Sequence, residues 1–141
     1  MVAGGTVLVV DDDEVMRDAL ATLLSGEGYE VVTASNGREA LDRLGETEPC
    51  VILLDYAMPV MDGLAFREAQ KADPRWSGIP VILITAHHLT AFAARSIDTL
   101  AILQKPLSYE ALAPLLERAC GRERREEEAP RILLTSRRWR A

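Results

Sequence analysis

The sequence predicts an α/β domain, a doubly wound parallel sheet of five strands with helices on both faces. Two observations carry this. Five short apolar runs, TVLVV (6 to 10), EVVTA (30 to 34), CVILL (50 to 54), PVILI (80 to 84) and LAIL (100 to 103), recur along the chain. Most of them lack polar alternation, which suits strands buried on both faces. Between them lie segments with helical spacing, and strands alternating with helices form parallel βαβ units. A length of 141 residues with 48% hydrophobic and 27% charged residues fits one globular domain with one substantial core.

The first strand, TVLVV, runs directly into Asp11, Asp12, Asp13 and Glu14. A first helix follows, with Val15, Met16, Ala19, Leu20, Leu23 and Leu24 forming an apolar stripe, Asp13 or Asp12 as N-cap, and Gly26 or Gly28 as the stop. Asp13 and Glu14 suit a helix start because the macrodipole favours negative charge there. After the second strand, Ala40, Leu41 and Leu44 mark a shorter helix. The third strand, CVILL, leads into Asp55, and a third helix spans residues 63 to 73, ending before Pro74. Tyr56, Phe66, Met58 and Met61 read as packing residues.

The fourth strand, PVILI, closes on Thr85 and Ala86. A fourth helix is expected from Thr90 to Ile97, and the turn after it, SIDTL, contains no glycine to take a left-handed position, so that helix must end by another device. Residues 87 to 100 are expected to be the most atypical part of the fold. The fifth strand leads into Lys105 and Pro106. A last helix follows Ser108 with Leu112, Leu115, Leu116 and Ala119 inward, and Pro114 within it implies either a kink or a helix beginning near Pro114.

Residues 1 to 120 carry 9 Lys/Arg against 18 Asp/Glu, and residues 121 to 141 carry 7 against 4. Nucleic-acid binding is therefore not expected of the domain, and any such footprint lies in the tail. That tail, residues 121 to 141, reads as a helix extension or a disordered end. No apolar run approaches the roughly 20 residues needed to cross a bilayer, and no export signal opens the chain. A cytoplasmic protein is expected. Cys50 and Cys120, 70 residues apart and in no metal-binding spacing, read as unpaired thiols in a reducing compartment. His87 and His88 are adjacent, a poor arrangement for one metal ion, and read as solvent-exposed.

In a doubly wound sheet, ligands bind beyond the carboxyl ends of the strands. Asp11, Asp12, Asp55, Thr85 and Lys105 all close or follow strands, so three carboxylates, a hydroxyl and an ammonium share one rim. Like charges about 4 Å apart near a surface repel by roughly 4 kcal/mol, so the cluster calls for a cation. Oxygen ligands without Cys or His select Mg²⁺, which takes one or two carboxylates with phosphate oxygens and water. A carboxylate beside such a cation can act as nucleophile toward a phosphoryl group.

The ordered set VLVVDDD, LLDYAMPVMDG, ILITA and QKP resembles the receiver domains of bacterial two-component response regulators, across residues 6 to 120. The resemblance implies a flavodoxin-like sheet in the order 2-1-3-4-5 and acceptance of a phosphoryl group from a kinase phosphohistidine. Asp55 would be the acceptor, Asp12 a direct Mg²⁺ ligand, Asp11 a ligand largely through water, and the main-chain carbonyl of Ala57 the remaining protein ligand. Thr85 would be the switch hydroxyl, and Lys105 would bridge to the phosphoryl group through a cis Lys105–Pro106 peptide. Met58, Pro59, Asp62 and Gly63 match the family's loop, and His87 holds a position where the family tunes the phosphoryl lifetime.

The implied partners are a sensor histidine kinase or histidine phosphotransfer protein and a downstream protein target. A homodimer is among the assemblies such domains allow. Residues after 120 are too few for an output domain, so a stand-alone receiver signalling by protein contact is expected, a truncated piece being the alternative. Ile102 departs from the family, which has an aromatic residue there. That departure keeps open a phosphorylation-independent scaffold on the same fold. DDDEV also fits the DxDx[TV] motif of haloacid-dehalogenase-like phosphatases, with Asp11 as nucleophile, although that reading leaves Asp55 without a role.

Overall fold

Residues 51 to 55 and 81 to 85 are buried at every position, as strands covered on both faces must be. They form the centre of a five-stranded parallel sheet in the computed structural model, which describes residues 4–86 and 89–121. In chain order the elements are β1 Thr6–Val10, α1 Glu14–Gly26, β2 Glu30–Ala34, α2 Gly37–Leu44, β3 Val51–Asp55, α3 Gly63–Ala72, β4 Val81–Thr85, α4 Ala91–Ile97, β5 Ala101–Gln104 and α5 Tyr109–Leu116. One π-helical turn, Glu117–Gly121, follows α5. The strand order is β2-β1-β3-β4-β5, as expected.

Side-chain alternation along the strands divides the core in two. Leu8, Val10, Ile52, Leu54, Val81 and Leu83 face α2, α3 and α4, meeting Leu44, Phe66 and Ile97. Val7, Val9, Val51, Leu53, Ile82 and Ile84 face α1 and α5, meeting Leu20, Leu24, Leu112 and Leu116. Burying each of these large side chains contributes roughly 1.5–3 kcal/mol.

The last three strands begin and end one residue later than their apolar runs suggest. Cys50 and Pro80 serve as lead-ins: the Cys50 amide donates to Thr6 O at 2.9 Å, and Pro80 O accepts from Ile52. At the other end the parallel ladder continues through polar residues, pairing Asp55 with Ile84 and Thr85 with Gln104. Apolarity marks where a strand is buried, whereas backbone pairing sets where it stops.

The helices follow their caps. Asp13 settles the first boundary, its Oδ1 accepting from the amides of Val15 and Met16. The stripe of α1 is narrower than its apolar residues imply, since Leu20 and Leu24 are buried while Val15 is 79% exposed. Asn36 caps α2 and Asp62 caps α3. α3 ends at Asp73, whose extended backbone is the conformation required before Pro74.

α4 keeps the left-handed ending with an aspartate in the place of glycine, so the expected change of device does not occur. Asp98 takes the left-handed conformation itself, at φ 58° and ψ 71°. Its carbonyl accepts from Arg67 Nη2 at 2.6 Å, and the carbonyl of Ile97 accepts from Arg67 Nε at 3.1 Å. A side chain from α3 thus satisfies two carbonyls at the end of α4 that lack a partner within the helix.

Two further expectations need correction. α5 begins at Tyr109 and carries Pro114 inside it, so a start near Pro114 is excluded. Proline removes one backbone donor, but Leu112 and Leu116, both fully buried, hold the helix against the sheet, and the winding changes to π only from Glu117. The second correction concerns the cysteines, which form a disulfide with Cα atoms 5.2 Å apart. Their 70-residue separation in sequence conceals that the start of β3 and the end of the last helix lie at the same end of the sheet. His87, His88 and residues 122 to 141 lie outside the described residues. Among the described residues no helix is long and apolar enough to cross a membrane.

Candidate phosphoryl-acceptor site

The carboxyl ends of β1, β3, β4 and β5 bring the expected residues together. Asp11 follows β1 directly, and its amide donates to Ala34 O at 3.1 Å, which fixes it beside the sheet. Asp55 and Thr85 are the last residues of β3 and β4 and are almost fully buried. Asp12 is exposed at the mouth. One carboxylate oxygen from each of Asp11, Asp12 and Asp55 lies within 4.8 Å of the others.

The ammonium enters from the far side. Lys105 Nζ lies 3.2 Å from Asp11 Oδ2 and 3.6 Å from Asp55 Oδ1. The peptide after it, Lys105–Pro106, is cis, and its own amide donates to Thr85 O at 2.8 Å. Asp11 is further held through Oδ1, which accepts from the Asp13 amide at 2.9 Å, while Arg17 donates to the Asp11 carbonyl. Two elements from opposite ends of the domain, separated by 94 residues, therefore meet in one ion pair.

One cation for three carboxylates leaves surplus negative charge. Burial pushes the Asp55 carboxyl up to about 7, with repulsion from Asp11 adding to it and Lys105 opposing. Burial alone would pull the Lys105 ammonium down, but Asp55 and Asp11 outweigh it and raise it. Surplus negative charge and three convergent carboxylate oxygens fit a hard divalent cation, whose charge would complete the balance. Mg²⁺ affinity is accordingly expected to weaken as pH falls through about 7, because Asp55 must lose its proton to act as a ligand. Calorimetric titration at about pH 6 and about pH 8 measures this, and equal affinities at both would contradict it.

The loop after Asp55 closes the site from below. Gly63 N donates to Tyr56 O at 2.8 Å, bringing the start of α3 against the end of β3. A Cβ at Gly63 would lie 2.7 Å from the Asp55 carbonyl oxygen, so only glycine permits this approach. Met58 is buried and Met61 packs on the same core, which anchors the loop as expected of that pair. Between them Val60 is 81% exposed with φ 70°. Ala57 is exposed two residues after Asp55, on the rim.

Arg67 and Gln70 escaped the reading of the sequence. Arg67 Nη1 donates to Gln70 Oε1 at 2.8 Å, and Gln70 Nε2 donates to the carbonyls of Trp76 and Ile79. The only available signal was their placement on the inward face of α3, four and seven residues after Gly63. Ile102 is 39% exposed on β5, beside Arg95, Asp98 and Thr99 of the α4–β5 connection.

Comparisons with known proteins agree with this geometry. Residues 7–117 match the family described as "Response regulator receiver domain". The transcriptional regulatory protein GlrR of Escherichia coli (strain K12) is 37% identical over 137 residues, 95% of this chain and 28% of GlrR. The DNA-binding transcriptional regulator NtrC of the same organism is 38% identical over 132 residues, 90% of this chain and 27% of NtrC. The chain thus spans little more than a quarter of the length of these relatives. Among solved structures, Vibrio cholerae chemotaxis protein CheY4 superposes with a TM-score of 0.76 at 32% identity, covering 83% of this chain and 99% of that one. The receiver domain of sensor histidine kinase PA1611 from Pseudomonas aeruginosa, with a magnesium ion coordinated in its active site cleft, has a TM-score of 0.77 at 26% identity, covering 84% and 99%.

Proposed function

This chain belongs to the response regulator receiver family, and from that premise we propose that Asp55 accepts a phosphoryl group from a histidine kinase or histidine phosphotransfer protein. The single observation that carries the reading is the convergence of three carboxylates with the Lys105 ammonium at one rim. Asp11, Asp12, Asp55 and the Ala57 carbonyl would hold Mg²⁺. When bound, the ion neutralises charge on the phosphoryl oxygens.

The chain's own groups do the rest. A carboxylate oxygen of Asp55 attacks phosphorus, the bond from phosphorus to the donor imidazole nitrogen breaks, and the electron pair leaves with that nitrogen. Lys105, already within 3.6 Å of the Asp55 carboxylate, meets the negative oxygens of the transferred group. Thr85 offers a hydroxyl from the adjacent strand. The domain catalyses only its own phosphorylation and dephosphorylation, and its output is a changed surface read by a protein target.

Incubation with acetyl phosphate and Mg²⁺, followed by intact mass, tests this directly. A single phosphoryl addition dependent on Mg²⁺ is expected, and its absence when Mg²⁺ binding is demonstrated and beryllofluoride also fails to bind would overturn the reading. Lys105→Ala is expected to slow phosphoryl uptake at least about tenfold while leaving Mg²⁺ binding intact, because it removes a donor aimed at the transferred charge. An unchanged rate by the same mass assay contradicts that role.

The exposed Ile102 supports a second reading, a receiver-fold scaffold that binds its partner without phosphorylation. An isoleucine carries no hydroxyl to move between core and solvent. Equal partner binding with and without beryllofluoride would favour it.

A further inference from the structure

At the foot of the sheet, opposite the candidate phosphoryl site, Cys50 and Cys120 meet beside the core on the α1 and α5 side. Their Cα atoms are 5.2 Å apart, within the range that a disulfide spans without backbone movement. Cys50 immediately precedes β3, whose other end is Asp55. The five-residue rise between them places the pair roughly 17 Å from the acceptor. Cys50 is partly accessible, whereas Cys120 is buried in the core on the α1 and α5 side.

What the bond holds is the last described turn. Glu117–Gly121 is π-wound, and Pro114 has removed one backbone donor just before it. Within that turn, Cys120 and the glycine after it are the buried residues. Beyond it the sequence continues for 20 residues with seven arginines and four glutamates, opposite in sign to the acidic domain. Ala119 packs against the same core beside Cys120, so the buried side of this turn faces the sheet end where Cys50 lies.

We propose that Cys50 and Cys120 are a thiol–disulfide switch that tethers the turn Glu117–Gly121 to the foot of the sheet when oxidised and releases it when reduced. The oxidant class is a small-molecule disulfide, RSSR. The accessible Cys50 thiolate attacks one sulfur of RSSR and expels RS⁻. The Cys120 thiolate then attacks the Cys50 sulfur of the mixed disulfide and expels the second RS⁻. The two cysteines together lose two electrons and two protons, and one RSSR becomes two RSH.

The test uses the full 141-residue chain equilibrated across a series of reduced and oxidised glutathione ratios. Thiols are counted by alkylation and intact mass, and amide hydrogen exchange is followed in parallel. The bond is expected to form at the oxidised end and open at the reduced end of the native protein. Opening should accelerate exchange in residues 116 to 121 on the order of tenfold, while β1 and β3 remain protected. Cys50→Ser, which keeps the buried Cys120, should show the fast exchange at every ratio, and Cys120→Ser should match it. A bond that never forms, one that resists the most reducing ratio, or one that opens with no change in residues 116 to 121 each overturns the proposal.

Discussion

Asp55→Asn is expected to abolish phosphoryl uptake and, at the same time, to stabilise the metal-free protein at alkaline pH. The first effect follows from removal of the attacking oxygen, since an amide is not a nucleophile toward phosphorus under these conditions. The second follows from the charge balance. The folded-state pKa of Asp55, about 7, lies above the ordinary value of 3.8, so the native state holds a proton that the unfolded chain has already released. Stability from this group is whole below about pH 4 and is lost as pH rises through about 7.

Solvent reaching the rim through the exposed Asp12 reduces the full linkage, and about 2 kcal/mol is a reasonable size for the loss. Asparagine carries no charge to repel Asp11, so the variant should gain that amount at about pH 8, near 6 °C in Tm. Its stability should also be flatter with pH between about 4 and 7. Thermal melts of both proteins without metal, at about pH 5 and about pH 8, measure this. A large loss of stability in the variant would instead assign Asp55 a structural hydrogen-bonding role.

Arg67→Ala should cost about 3 kcal/mol, more than any change expected at the rim. The guanidinium is almost fully buried, and burial lowers its pKa while Asp98 opposes, yet arginine remains charged at any working pH. Its loss strands three acceptors, the carbonyls of Ile97 and Asp98 and the amide oxygen of Gln70. Because Gln70 in turn binds the carbonyls of Trp76 and Ile79, the damage reaches the connection before β4 as well as the end of α4. The Lys71 to Asp98 ion pair, 3.0 Å but exposed, cannot compensate. Arg67→Lys keeps a charge but not the planar fork, so it should recover less than half of the loss. Urea unfolding of the three proteins decides this, and a cost below about 1 kcal/mol for Arg67→Ala would mean that water replaces the guanidinium.

These two sites differ in how far sequence alone reveals them. Asp11, Asp55 and Thr85 abut apolar runs and Asp12 and Lys105 follow one residue later, and in a parallel sheet every run ends on the same rim, so periodicity places them together. The helix start at Asp13 and the stop before Pro74 were legible for similar reasons, because capping and proline geometry act within four residues. Arg67 reaches across to α4, and nothing local to LAFREAQ distinguishes an inward guanidinium from a solvated one. Cys50 and Cys120 were missed because pairing across 70 residues depends on which elements finish at the same end of the sheet. Pro114 misled in the opposite direction, since a local rule gave way to the burial of Leu112 and Leu116.

The backbone hydrogen bond from the Lys105 amide to the Thr85 carbonyl, 2.8 Å long, ties the ends of β4 and β5 together at the rim. Thr85 closes β4 and Lys105 follows β5, and β5 is an edge strand held to the sheet on one side only. A force that draws the Thr85 main chain toward the rim must either stretch this bond or carry Lys105 and the end of β5 with it. Any displacement of the Thr85 main chain would therefore be passed to the edge strand that carries Ile102.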